Sequence, residues 1–210
     1  MLQDITTLLE QISLFASQQM VLVIIACAAA LMLINRPKIA LLLLFLQCIL
    51  LAIFIGPRVY GPLVLVQAGI GFAMCLILLV SINHLQESQS LDKQTVAASG
   101  WFYRILIIAF SGLAAYGLWR ANIFQLTLPE GMVSYFLISI GLVMATVSNE
   151  PLRLGFGILV GVNGFETASV FMNQGLLVIG IWGIIDILLA LVIAAGIEVW
   201  VEGHKKAMNS

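Results

Sequence analysis

Two carboxylates hold the chemistry that this sequence offers. Glu166 and Asp186 each lie inside an apolar run long enough to cross a bilayer, while all nine Lys and Arg residues lie at a run boundary or in a connection. An ionised group at such depth is costly, so intramembrane acids are rare and tend to mark ion or proton routes. The missing intramembrane cation points to proton binding or to a counter-charge from a neighbouring subunit. Asn163 precedes Glu166 by three residues and shares its helix face, so its amide is expected to donate to the Glu166 carboxylate or accept from its acid form. The candidate site residues are therefore Glu166, Asp186 and Asn163. Their expected role is a proton relay, without bond chemistry.

Depth can be read from helix rise. Glu166 follows Pro151 by fifteen residues, about 22 Å along a helix, and Asp186 follows Gly175 by eleven, about 16 Å. Two helices joined by a short hairpin would hold the acids within about 10 Å of each other in depth. Trp182, four residues before Asp186, is placed to pack over it. Gln47 and Gln67 are expected to hydrogen-bond across helix interfaces as structural glue. Gly157, Gly161 and Gly164 leave one side of their helix open to close approach by a neighbour. Cys27, Cys48 and Cys75 form no CxxC pair and read as small apolar packing groups. His84 and His204 fall in polar connections. The chain itself is expected to hold no metal and no cofactor.

The elements that must position these groups follow from hydropathy. Hydrophobic residues make up 62% of the 210 and charged residues 9%, with a mean hydropathy of +1.12. A soluble domain carries about 25% charge, so this chain is expected to be an integral, all-α membrane protein without a soluble domain. No basic tract suggests nucleic acid. A helical span needs about 20 residues. Seven segments approach that length, at about residues 12–34, 38–56, 61–82, 102–120, 131–148, 151–172 and 175–200. They make one transmembrane domain over 1–210, divided into four spans up to 120 and three over 131–202.

The breaks have clear chemistry. Asn35-Arg36-Pro37-Lys38, Gly56-Pro57-Arg58 and Gly61-Pro62 separate the first three spans. Asn83 to Gly100 reads as the one long polar connection, an exposed loop with room for one surface helical turn. Pro129-Glu130-Gly131 precedes the fifth span, Ser148-Asn149-Glu150-Pro151 reads as a turn capping the sixth, and Asn173-Gln174-Gly175 forms the last hairpin. Trp101, Tyr103, Trp119 and Trp200 fall near boundaries, as interfacial anchors do, and Glu198 and Glu202 fall in the headgroup region.

Seven spans put the termini on opposite sides. Arg58 and Arg120 then share the N-terminal side, and Arg36, Lys38, Arg104, Lys93, Arg153, Lys205 and Lys206 the other. Basic residues favour the cytoplasm, which places the C-terminus inside and the N-terminus outside a cytoplasmic membrane. The first eleven residues carry Asp4 and Glu10 and no basic side chain, unlike a cleavable signal, so the first span is expected to be retained.

From about Met132 to Glu202 the chain resembles the C-terminal half of hydrogenase-4 component E, in "SYFLISIGLVMATVSNEPLRLGFGILVGVNGFETASV" and "LVIGIWGIIDILLALVIAAGIEVW". It is more distantly similar to the K-type component of respiratory complex I and to the C-type component of multisubunit cation/proton antiporters. Asn149, Arg153, Phe156, Gly157, Asn163, Gly164 and Asp186 match the component E pattern. Val162 stands where that family usually has Glu, and Glu166 lies one turn further on. The resemblance implies an accessory subunit in the inner membrane of a bacterium or archaeon. Its implied partners are antiporter-like and quinone-channel-type membrane subunits and a peripheral redox arm. Any iron–sulfur or nickel–iron centres are implied in those partners alone. The alternatives are an assembly subunit with no proton role and, less attractively, an autonomous transporter.

Overall fold

A computed structural model describes residues 2–34, 36–56, 61–89, 101–121, 124–148, 150–172 and 176–208. Asn35, Pro57, Arg58, Lys93, Asn149 and the Asn173-Gln174-Gly175 hairpin lie outside the described residues, as do the side chains of His84, Trp101, His204, Lys205 and Lys206. Seven α-helices account for nearly all of the rest: α1 (Leu2–Leu33), α2 (Pro37–Ile55), α3 (Gly61–Gln89), α4 (Trp101–Arg120), α5 (Leu128–Val147), α6 (Pro151–Met172) and α7 (Leu176–Met208). The helices α2 to α7 are each long and apolar enough to cross a membrane. The protein is thus a polytopic all-α membrane protein.

The helix boundaries have local causes. Pro37 opens α2 and holds Arg36 extended, at ψ 115°, since the ring excludes the helical conformation from the residue before it. Helix α5 starts at Leu128, three residues before the expected boundary at 131. Thr127 and Glu130 have capping-box spacing, and the Thr127 amide donates to Glu130 Oε2 at 3.0 Å. The Ser148 hydroxyl donates back to the Met144 carbonyl at 2.6 Å, at the end of α5.

Three helices outrun their expected spans. Helix α3 continues to Gln89, so the start of the expected loop at Asn83 is helical. The stretch from Asn83 to Gln89 holds no Pro or Gly, so nothing in it breaks the backbone ladder. Helix α1 begins at Leu2 for the same reason, and α7 runs on to Met208 through Gly203.

Two helices form the centre. Helices α5 and α6 share the most extensive contact in the fold. A Cβ on Gly141 would lie 2.3 Å from the Gly161 nitrogen, one on Gly157 2.5 Å from the Ala145 nitrogen, and one on Gly164 2.7 Å from the Ile138 nitrogen. The glycine face expected on the sixth span is thus the seat of α5. Gly141, on α5 itself, completes the contact.

Around this pair α1 and α4 pack on α5, while α2 bridges α1, α3 and α6, and α7 closes against α3 and α6. Arg104 near the start of α4 donates through Nη1 to the carbonyls of Leu33 at 3.0 Å and Met32 at 3.4 Å, at the end of α1. It also lies within electrostatic reach of Glu150 and Arg153, at the start of α6, which pair with each other at 3.5 Å. The end of α1 and the starts of α4 and α6 therefore meet at one face, the basic end. At the opposite end Trp119 of α4 packs on Gly131 of α5, where a Cβ would lie 2.5 Å from the indole. Helix α1 thus runs opposite to α4 and α6, and α4 opposite to α5.

Candidate functional site

Four helices, α2, α3, α6 and α7, converge on the two acids. Glu166 lies six residues from the end of α6 and Gln67 six residues from the start of α3, so both sit about 9 Å inside the end opposite the basic one. Asp186, ten residues into α7, lies deeper by about 6 Å. Helix rise alone brings these three polar groups to neighbouring levels.

The contacts at that level are specific. Gln67 donates through Nε2 to Glu166 Oε1 at 2.6 Å. Asn163 donates through Nδ2 to Cys48 Sγ at 3.7 Å, so its amide bridges α6 to α2 and not to the Glu166 carboxyl. Thr167 gives its hydroxyl proton to the Asn163 carbonyl at 2.6 Å, and Ser169 does the same for the Glu166 carbonyl at 2.8 Å. These bonds to the preceding turn satisfy the hydroxyls inside α6.

Glycines make the convergence possible. A Cβ on Gly71 would lie 2.9 Å from the Cys48 Cβ, and one on Gly183 would lie 2.3 Å from Ile70. Gly71 lets α3 reach Cys48, and Gly183, three residues before Asp186, lets α7 reach α3. Cys48 in turn lies within electrostatic reach of Cys75, Glu166 and Asp186.

The electrostatics are unusual for an apolar core. Glu166 and Asp186 are each 5% exposed and interact electrostatically with one another. Asp186 Oδ1 has no hydrogen-bond partner among the described residues. No basic side chain among the described residues acts on either carboxylate. Desolvation and mutual repulsion both disfavour a doubly charged pair. The arrangement can therefore bind a proton, and it can respond to water or to a cation brought by another chain. Among the described residues no group of three His, Cys, Asp or Glu side chains is placed to hold a metal ion.

Both expected carboxylates occupy one site, and the third expected residue borders it through Cys48. Sequence reasoning missed the role of Gln67. Its polarity inside an apolar span was a signal, but its direction toward Glu166 depends on how α3 packs, which no spacing reports. Cys48 likewise meets α3 at Gly71 and accepts from Asn163 of α6, where packing alone was expected. Gln47 has no cross-helix bond: both its amide atoms are buried without a partner among the described residues, like the hydroxyls of Ser111, Ser134 and Tyr135.

No family model matches the chain, and neither does any curated protein or solved structure.

Proposed function

We propose that this chain is an accessory subunit of a complex I-like or hydrogenase-4-like membrane assembly, in which Glu166 and Asp186 form one step of a proton path. One observation carries the proposal: two carboxylates meet inside an apolar bundle with no basic side chain acting on either among the described residues. A purely structural pair would need both acids satisfied. Glu166 meets that condition through Gln67, whereas Asp186 Oδ1 does not. The motifs over Met132–Glu202 supply the type of assembly, and they do so by resemblance alone.

In this reading the basic end faces the cytoplasm of a bacterium or archaeon. Helices α4 and α7 leave long apolar faces uncovered, with Phe110, Leu113, Ile184 and Leu188 exposed. Larger antiporter-like and quinone-channel-type subunits would share these faces with lipid. The redox centres and the electron chemistry belong to such partners. This chain contributes a carboxyl pair whose protonation changes when water or a partner's charge reaches it.

The test is twofold. Mild detergent extraction of the tagged chain should bring down much larger apolar subunits. An Asp186→Asn chain should still assemble with them, while proton movement coupled to the complex falls. Normal assembly with unchanged proton movement would remove the proton role. Recovery of the chain alone, active in sealed vesicles by itself, would replace the subunit reading with that of a transporter.

A further inference from the structure

The geometry points to Gln67 as the positioning residue of the acid pair: its amide makes Glu166 the charged member and leaves the pair's single proton on Asp186. The inference deepens the proton-path reading, since it names the carboxyl that loads and releases. It starts from an asymmetry between two acids of equal exposure, at 5% each. Glu166 receives an N–H from Gln67 at 2.6 Å, and a donor to a carboxylate stabilises its charged form. Asp186 Oδ1 receives none from the described residues. A buried anionic oxygen without a donor is costly, whereas the carbonyl of a neutral acid without one is far less so.

The surroundings leave the pair to settle its own charge. Helix α7 packs against α3 and α6. Among the described residues, the titratable groups at this centre are the two acids, which interact with each other, and Cys48 of α2, on which both acids and Cys75 of α3 act. None of them is basic. On α7 itself Glu198 and Glu202 lie twelve and sixteen residues away, about 18 and 24 Å along the axis. Two charges repel in a dry interior, and the Gln67 donor stabilises a charged Glu166 more than a neutral one, so one proton is the balanced state. The proton goes to Asp186, whose Oδ1 has no donor among the described residues. Among the described residues Gln67 hydrogen-bonds to Glu166, and it acts on Asp186 through that contact.

Infrared difference spectroscopy on the purified full-length chain in lipid nanodiscs tests this without any partner subunit. At neutral pH a protonated-carboxyl C=O band should be present and should shift when aspartate is carboxyl-labelled with 13C. Of the three Asp residues, Asp4 and Asp92 lie in polar stretches. The band should vanish in Asp186→Asn and persist in Glu166→Gln. Gln67→Leu should move part of the band to glutamate label, and Gln67→Asn, which keeps an amide, should restore part of the aspartate signal. A band that follows glutamate label in the unmodified chain overturns the inference, as does the absence of any protonated-carboxyl band. A Gln67→Leu protein with the unmodified band also overturns it. If Gln67→Leu does not fold, the labelling and the two acid variants still decide. Because the chain is isolated, failure here leaves the subunit reading standing, and failure of the complex assay leaves this inference standing.

Discussion

Gln67 on α3 and Glu166 on α6 are 99 residues apart in sequence and 2.6 Å apart in space. That bond ties the N-terminal half of the chain to its C-terminal half at the level of the acid pair. It also satisfies one buried carboxyl. Substituting Gln67→Leu keeps approximate volume and removes the donor. Interhelical hydrogen bonds in membranes contribute modestly, but a carboxyl left without its donor adds a desolvation cost. The expected loss is about 1–2 kcal/mol of unfolding free energy, read by denaturant titration in micelles. The same substitution at Gln47, whose amide has no partner among the described residues, should be neutral or stabilising.

The two acids interact electrostatically, so their substitutions should not add. Either Glu166→Gln or Asp186→Asn alone removes the mutual repulsion, and the second substitution then has none left to remove. A double-mutant cycle on unfolding stability at alkaline pH, where both carboxyls are charged, should give a coupling of about 0.5–3 kcal/mol, with the double variant less stabilised than the sum of the singles. The coupling should fade as the pH falls and the pair takes up its proton, because the repulsion needs both charges. A coupling near zero at every pH would mean that the carboxyls do not sense each other.

Arg104 holds the last carbonyls of α1 from the start of α4. A cation at a helix C-terminus also meets the negative end of the helix dipole. Replacing it with Gln should cost about 0.5–1.5 kcal/mol, and Arg104→Lys less, because Lys keeps the charge but loses the guanidinium geometry. The melting temperature reads the loss. Amide exchange should accelerate first at the end of α1.

Hydropathy made most of the architecture legible. The expected sixth span, 151–172, coincides with α6, because Pro151 starts it and a continuous apolar run follows. Where expectation and structure differ, the sequence held a local signal of another kind. Thr127 and Glu130 carried capping-box spacing that a hydropathy boundary at 131 ignores. Asn83 to Gln89 is polar but contains no helix breaker, so leaving hydrocarbon did not end the helix. At the site the carboxylates were legible because their charge conflicts with their surroundings. Their partners were not. Which face of α3 meets α6 is set by the sum of side-chain shapes along both helices, and Gly71 and Gly183 take their meaning only from Cys48 and Ile70 opposite them.

The α5–α6 contact gives the sharpest mechanical prediction. At Gly141 and Gly157 the space for a Cβ is filled by backbone, with the nearest atoms at 2.3 and 2.5 Å. Backbone cannot rotate away as a flexible side chain can, so even alanine must push the two helices apart. Separation there displaces Asn163 and Glu166, which ride on α6. Gly141→Ala and Gly157→Ala should each cost about 2–3 kcal/mol or more, at the upper end for overpacking. Gly117 and Gly180 have open space where a Cβ would go. Alanine there should be neutral or stabilise by about 0.5–1 kcal/mol through helix propensity. Melting temperatures of the four variants in one detergent make the comparison. If alanine at 141 and 157 were tolerated as well as at 117 and 180, the close packing of α5 on α6 would not hold.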